Sequence, residues 1–430
     1  MNYYSLNHKA PNTTFKDAVV KGLAPDKGLY FPERITPLPA SFFENIDHLS
    51  YNDIAFEALQ QFVSPDIPKD VLKTIIAETL SFEFPVVKLN DNISTLELFH
   101  GPTMAFKDVG ARFMARCLGY FNKDNTNQVT VLVATSGDTG GAVANGFLGV
   151  KGVNVVILYP SGKVSDIQEK QLTTLGQNIK ALEVNGVFDD CQDMVKRAFL
   201  DDTLTSKMQL TSANSINVAR WLPQLLYFMF AYKQLHKSHK DIVFSVPSGN
   251  FGNVCAGMMA QQLGLPIKHF IASNNQNNVV TNYLKTEQYS PKQSVQTISN
   301  AMDVGNPSNF IRIQEIYKNN FGTLKENLSS FSFTDEDTKV ALKELYNTYN
   351  YVADPHGAVG YLGCKAYLKK NPNAHCVFLE TAHPTKFLDV VEDVIKDKQA
   401  LPPQIEAVMD KTKVATKISD YAGLKSFLLK

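Results

Sequence analysis

What this chain lacks removes several classes of function. It has only five cysteines in 430 residues, an odd number. No two of them stand in C-x-x-C spacing, so neither a disulfide framework nor a structural zinc site is expected. Reduced thiols in a cytoplasmic protein are expected instead. Charge of neither sign is in excess: Lys plus Arg and Asp plus Glu are each 42. A nucleic-acid partner and a membrane surface are therefore not expected, although a zero sum leaves room for local anion pockets. Long apolar runs are missing too. The densest, Leu222 to Tyr232, contains Pro223 and Gln224 and falls well short of the ~20 residues of a membrane span. It reads as a buried helix. The first residues, Met1 to Lys9, have no apolar core of a signal peptide. H-E-x-x-H and Cys/His clusters are absent, and His236 and His239 lie in a polar Lys/His-rich stretch, so no metal is expected. No two carboxylates stand at an obviously reactive spacing.

The composition is that of a globular protein, with 44% hydrophobic and 20% charged residues. The first 80 or so residues read as mainly helical, with helical apolar spacing over Tyr51 to Gln61 and Lys69 to Leu80. Pro85 stands at a boundary, dividing the chain into an N-terminal domain of residues 1–82 and a larger one of residues 83–430. Beyond it, β-rich runs alternate with helical ones. Strands are expected at Val129 to Ala134, Val153 to Tyr159, Ile179 to Val184, Ile242 to Val246, Ile267 to Ala272 and Cys376 to Leu379. Helices are expected at Ser165 to Leu175 with Ser165 as N-cap, at Asp189 to Leu200, and at Asn253 to Leu263. This alternation makes an α/β fold of mostly parallel twisted sheets flanked by helices. Ligands in such folds sit beyond the carboxyl ends of strands. Gln276 to Asn300 is polar and reads as an inserted or mobile loop.

Four of the loops carry chemistry. In Gly101-Pro102-Thr103-Met104-Ala105-Phe106-Lys107-Asp108, the lysine follows apolar neighbours at the entrance to a helix. A desolvated lysine loses its proton readily and attacks carbonyls. Pro247-Ser248-Gly249-Asn250-Phe251-Gly252-Asn253 follows a strand and opens a helix. Its glycines let several N–H groups converge where the helix dipole is positive, which is a cradle for a phosphate or, more plainly, a tight turn. It is neither a Walker loop nor a full G-x-G-x-x-G. Thr135-Ser136-Gly137-Asp138-Thr139-Gly140-Gly141 is similar in kind and suits a carboxylate, with Asp138 or Thr139 also able to cap the following helix. Thr381, in Leu379 to Lys386, would present a neutral hydroxyl at a strand end.

An aldehyde-seeking lysine, a phosphate cradle and a neutral hydroxyl for a ring nitrogen together describe pyridoxal 5'-phosphate. With these residues the chain resembles the threonine synthase family, within the tryptophan-synthase-β-like, fold-type II class. Further stretches carry the resemblance: Gly22 to Asp26, Gly28 to Glu33, Tyr159 to Ser165, and Asn214-Ser215-Ile216-Asn217 with Arg220. It implies that Lys107 forms the internal aldimine and shuttles protons. It also implies that Gly249, Asn250, Phe251 and Asn253 hold the cofactor phosphate, and that Thr381 faces the pyridine nitrogen. The implied substrate is O-phosphohomoserine, a small molecule, which loses its γ-phosphate and gains water at the β-carbon to give threonine. Substrate contacts are assigned to Ser136, Asp138, Thr139, Lys163, Ser215, Asn217 and Arg220. A small subdomain near residues 108–211 is expected to close over the substrate. The oligomeric state, monomer or homodimer, does not follow. Two other readings stay open: another lyase of the same class, such as a serine/threonine dehydratase or a phosphothreonine phospho-lyase, and a non-catalytic metabolite-binding protein on the same scaffold.

Overall fold

A small antiparallel sheet begins the chain, with Asn2–Ser5 pairing to Thr13–Thr14 on one side and Tyr30–Pro32 on the other. It adds to the helices expected there, which run over Tyr51–Val63 and Lys69–Thr79. Strands this short show no readable alternation, so only the helical spacing was legible. The computed structural model describes residues 1–123, 128–239 and 241–430.

Two larger sheets follow. The six-stranded one has the spatial order Leu328–Ser332, His269–Asn274, Ile242–Pro247, His375–Glu380, Ile93–Glu97, Val86–Lys88. Its strands run parallel except the last. The five-stranded one has the order Thr416–Ile418, Ile179–Val184, Val153–Pro160, Val129–Ala134, Gln209–Ser212, and is parallel throughout. The central strands of both are buried along nearly their whole length, because helices cover both faces. This is the α/β architecture expected. Edge strands such as Thr416–Ile418 and Val86–Lys88 are three residues long and escaped the sequence pattern.

The apolar segment after Trp221 is buried as expected, in a short 3-10 turn, Leu222–Gln224, and the helix Leu225–Leu235. Pro223 sits in the turn, where its missing N–H costs nothing. All five cysteines are buried free thiols. Residues 276–300 include a helix, Val279–Thr286, and a strongly bonded turn. The Asp303 carboxylate there accepts from Asn275, Asn277 and Thr297, while burial pushes its pKa up to about 6. The polar residues of this loop satisfy one another, which is why the stretch looked inserted. Among the described residues, no helix is long and apolar enough to cross a membrane.

Candidate active site

Three adjacent strands of the larger sheet, Ile242–Pro247, His375–Glu380 and Ile93–Glu97, point their carboxyl ends at one place. From them emerge the turn at Ser248–Phe251, the residue Thr381, and the loop that leads to Lys107. A fourth loop, Thr135–Gly137, leaves the five-stranded sheet at Ala134. Sheet spacing of about 4.8 Å sets the first three side by side.

The lysine loop and the Thr381 turn are stitched together. Phe106 N donates to Thr381 O at 2.9 Å, His383 N donates to Met104 O at 3.1 Å, and Ala105 bridges Ala382. Lys107, the first residue of the helix Lys107–Asn122, is half-buried along its side chain. Desolvation pulls its pKa below the usual lysine range, with Asp138 opposing the shift and the Lys386 and Arg220 cations adding to it. Asp108 anchors the loop from behind: its carboxylate accepts from Thr103 N at 2.9 Å and from the Thr103 hydroxyl. Tyr227 donates to the Phe106 carbonyl from the other side.

In the strand-to-helix turn, Phe251 adopts a left-handed φ of 61° immediately before the helix Gly252–Gln262. A non-glycine residue there is strained, and strain of this kind concentrates at ligand sites. Gly249 is required because a Cβ on it would stand 2.7 Å from Met302 Cα. The amide of Asn253 is buried, yet both its nitrogen and its oxygen lack a protein partner. Buried amides are normally bonded, so this one faces a missing group. Asn250 is used within the protein: it donates to the Ser215 hydroxyl at 3.0 Å and accepts from Ser308 N at 2.6 Å.

The Thr135 hydroxyl, rather than Asp138 or Thr139, caps the helix Asp138–Phe147, accepting from Gly137 N at 2.9 Å and Gly140 N at 2.8 Å. Asp138 is thereby free for another task, with Ser136 and Thr139 half-buried beside it. Its Oδ1 receives the Lys386 ammonium at 2.7 Å and the Gln168 amide at 3.0 Å. Burial alone would raise its pKa, but Lys386 and Lys107 outweigh that and hold it well below the ordinary carboxylate range. Gln168 is positioned by the capping box with Ser165, which is the N-cap the sequence suggested.

Arg220 is buried and donates from Nη1 to the Lys107 carbonyl at 3.2 Å, while its Nε has no partner. It forms no ion pair among the described residues. Burial pushes its pKa down to about 10, which leaves it charged at neutral pH. Two expected substrate contacts are placed otherwise. Asn217 is fully buried, and its amide is committed to Val19 O at 2.8 Å and Ala219 N at 3.0 Å. Lys163 lies exposed in the loop after Val153–Pro160, where nothing ties it to the cluster.

Two residues at the site carried no signal that set them apart in the sequence. Lys386 lies five positions beyond Thr381, a proximity that marked it only weakly. The partners of Arg312 lie from three to 282 residues away, and no local pattern points to it. Its fully buried guanidinium donates to Ser215 O at 3.0 Å, Ile216 O at 2.7 Å, Tyr30 O at 3.1 Å and Asn309 Oδ1 at 2.7 Å, and it stacks 4.3 Å from the Trp221 ring. Arg312→Leu should lower stability by about 3 kcal/mol or more, since buried carbonyls lose a charged donor. Urea unfolding would measure this. An unchanged midpoint would show that the bonds contribute nothing net.

Comparisons with known proteins show the family and the fold. Residues 87–381 match the family described as pyridoxal-phosphate dependent enzyme, residues 2–80 the threonine synthase N terminus, and residues 357–428 the threonine synthase C-terminal family. The chain is 43% identical over 435 residues to threonine synthase of Buchnera aphidicola subsp. Acyrthosiphon pisum, covering 100% of both chains. Among solved structures it is similar to threonine synthase from Escherichia coli, with TM-score 0.94 and 40% identity over 100% of this chain and 99% of that one. It is also similar to pyridoxal-phosphate-bound threonine synthase from Brucella melitensis, with TM-score 0.92 and 32% identity over 100% of this chain and 98% of that one.

Proposed function

Because the chain belongs to the threonine synthase family of pyridoxal-phosphate-dependent enzymes, we infer that this site converts O-phospho-L-homoserine and water into L-threonine and phosphate. The observation that carries the reading is a buried amide without a protein partner, Asn253, at the start of the helix Gly252–Gln262 that follows the glycine turn.

The residues present fit the cofactor. Gly249, Asn250, Phe251 and Asn253 would hold its phosphate at the start of the helix Gly252–Gln262, Thr381 would face its ring nitrogen, and Lys107 would hold its aldehyde carbon. When bound, the cofactor supplies an aldehyde for the substrate amino group and a conjugated ring that accepts the electron pair left by the α-proton.

The chain's own residues do the rest. Lys107 Nζ would take the α-proton, a role helped by desolvation, which disfavours its charged form. Arg220 holds the Lys107 carbonyl, and Tyr227 and Thr381 hold the backbone of Phe106 just before it, which fixes where the amine is presented. Arg220 is favoured for the γ-phosphate because it is a buried cation without an anion partner. Ser215 stands near the cofactor cradle through Asn250. The turn Thr135–Thr139 is suited to the substrate carboxylate, with Asp138 shaping it. Loss of phosphate and addition of water at the β-carbon require bulk solvent to be kept out. Five buried free thiols support a cytoplasmic placement, and the start of the large sheet at Val86 supports a boundary between residues 1–82 and 83–430.

Incubation with O-phosphohomoserine tests the reaction. Threonine and one equivalent of phosphate are the expected products. A 2-oxo acid with ammonia would instead identify a dehydratase-type lyase, and a purified protein that takes up no pyridoxal phosphate would overturn every enzymatic reading.

A further inference from the structure

We propose that Lys386 is a positioning residue for this reaction: it engages the Asp138 carboxylate at 2.7 Å and so deprives Lys107 of a counter-ion of its own. The inference rests on the reading of Lys107 as the amine that takes the α-proton.

Lys386 is an unusual lysine. Its side chain is 0% exposed, whereas lysines almost never lose all contact with water. Its ammonium is met by Asp138 Oδ1 and by Thr103 O at 2.9 Å. A purely structural pair in this place would be served as well by uncharged groups of similar volume. The location gives the charge a use. Lys386 lies in the turn Pro384–Phe387, directly after the Thr381–His383 segment bonded to Met104 and Phe106. Lys386 and Lys107 therefore stand on two segments stitched together, and their separation is fixed by backbone bonds.

The charges that face Lys107 come from three elements: Asp138 at the start of its helix, Lys386 in its turn, and Arg220 on the short helix Val218–Trp221. Asp108, next in the chain, is turned onto Thr103. Asp138 is the one anion among the facing three, and both ammonium groups act on it. With Lys386 closing on its Oδ1, the carboxylate is already satisfied, and Gln168 takes a second share of the same oxygen. Asp138 still draws on Lys107, and the Lys386 and Arg220 cations act against that pull. A lysine beside another cation gives up its proton more readily, which is how an amine becomes a base near neutral pH. Asp138 itself remains ionised, so the loop meant for the substrate carboxylate is not left with a bare negative charge.

The test uses the cofactor-free protein, so that it reads Lys107 directly. Pyridoxal and cyanoborohydride trap neutral amines as stable secondary amines, and peptide mass spectrometry follows labelling of Lys107 against pH. Lys386→Met should raise the pH midpoint of labelling by about one unit, a tenfold slower reaction below the midpoint. Asp138→Asn should lower the midpoint, because the cation is then unanswered, and Lys386→Arg should stay near wild type. In the loaded enzyme the acidic limb of the kcat profile should move in the same directions. Should Lys386→Met fail to fold, the Asp138→Asn and Lys386→Arg proteins carry the comparison. A Lys107 midpoint that stays put in Lys386→Met or in Asp138→Asn, or that moves the same way in both, overturns the proposal while leaving the catalytic reading intact. A wild-type Lys107 inert to the aldehyde at every pH overturns both.

Discussion

Lys107→Ala should lower turnover of O-phosphohomoserine by more than about a thousandfold, since a positioned acid–base group alone contributes that much. The fold should survive the change. Lys107 is half-buried, and the loop around it is secured by Asp108, Tyr227 and the Thr381 turn, none of which uses the lysine side chain. Stability should in fact rise. The folded protein holds the Lys107 pKa below its unfolded value, so at neutral pH the charged lysine is better accommodated in the unfolded chain. Between the lowered folded value and the ordinary one, the unfolded chain binds the extra proton, and wild-type stability rises with pH across that window. A Lys107→Met protein lacks this dependence. In its cofactor-free form it should resist urea better than wild type near neutral pH, and the gap should close in alkaline buffer. Turnover and unfolding therefore move in opposite directions, which loss of a structural residue cannot produce. A variant that turned over substrate at a tenth of the wild-type rate would remove Lys107 from the mechanism.

The loops that carry Lys107, Gly249 and Thr381 stood out in the sequence because each combines a strand end with a local chemical pattern, and the fold brings them to the carboxyl ends of adjacent strands. Gly249 and Gly252 announce backbone freedom, and Lys107 stands among apolar residues. Most of the central strands were legible for a related reason: buried on both faces, they read as continuous apolar runs. What stayed hidden depends on contacts remote in the chain. The bonds of Arg312 span from three residues, to Asn309, up to 282, to Tyr30. Asn217 was assigned to the substrate through the resemblance carried by Asn214 to Asn217 with Arg220. Only the fold shows its amide turned towards Val19, where it docks the N-terminal helix Phe15–Lys21. Asp138 looked like a cap because it follows Gly137. The cap is supplied instead by Thr135, through bonds that a pattern of residue types does not distinguish.

Arg220→Ala should lower kcat/KM for O-phosphohomoserine by about a hundredfold to a thousandfold, the loss seen when one donor to a developing anion is removed. The guanidinium is buried, charged at neutral pH, and paired with no carboxylate among the described residues. Keeping a lone cation out of water is costly unless an anion arrives to meet it. The phosphate of the substrate, carrying nearly two charges, is the group that fits. Its charge grows as the C–O bond breaks, so the loss should fall on kcat as well as on KM. Inorganic phosphate, a product, should inhibit wild type and lose most of its grip on the variant. Arg220→Lys should recover only part of the activity, because a point charge replaces a planar fork of donors and Lys107 O loses its Nη1 bond. A structural account of Arg220 predicts a different pattern. Removing a clamp on the Lys107 backbone would lower kcat and loosen the cofactor, yet leave inhibition by phosphate unchanged. Phosphate inhibition measured on Arg220→Ala beside wild type separates the two, and equal inhibition would reassign the substrate phosphate to another group.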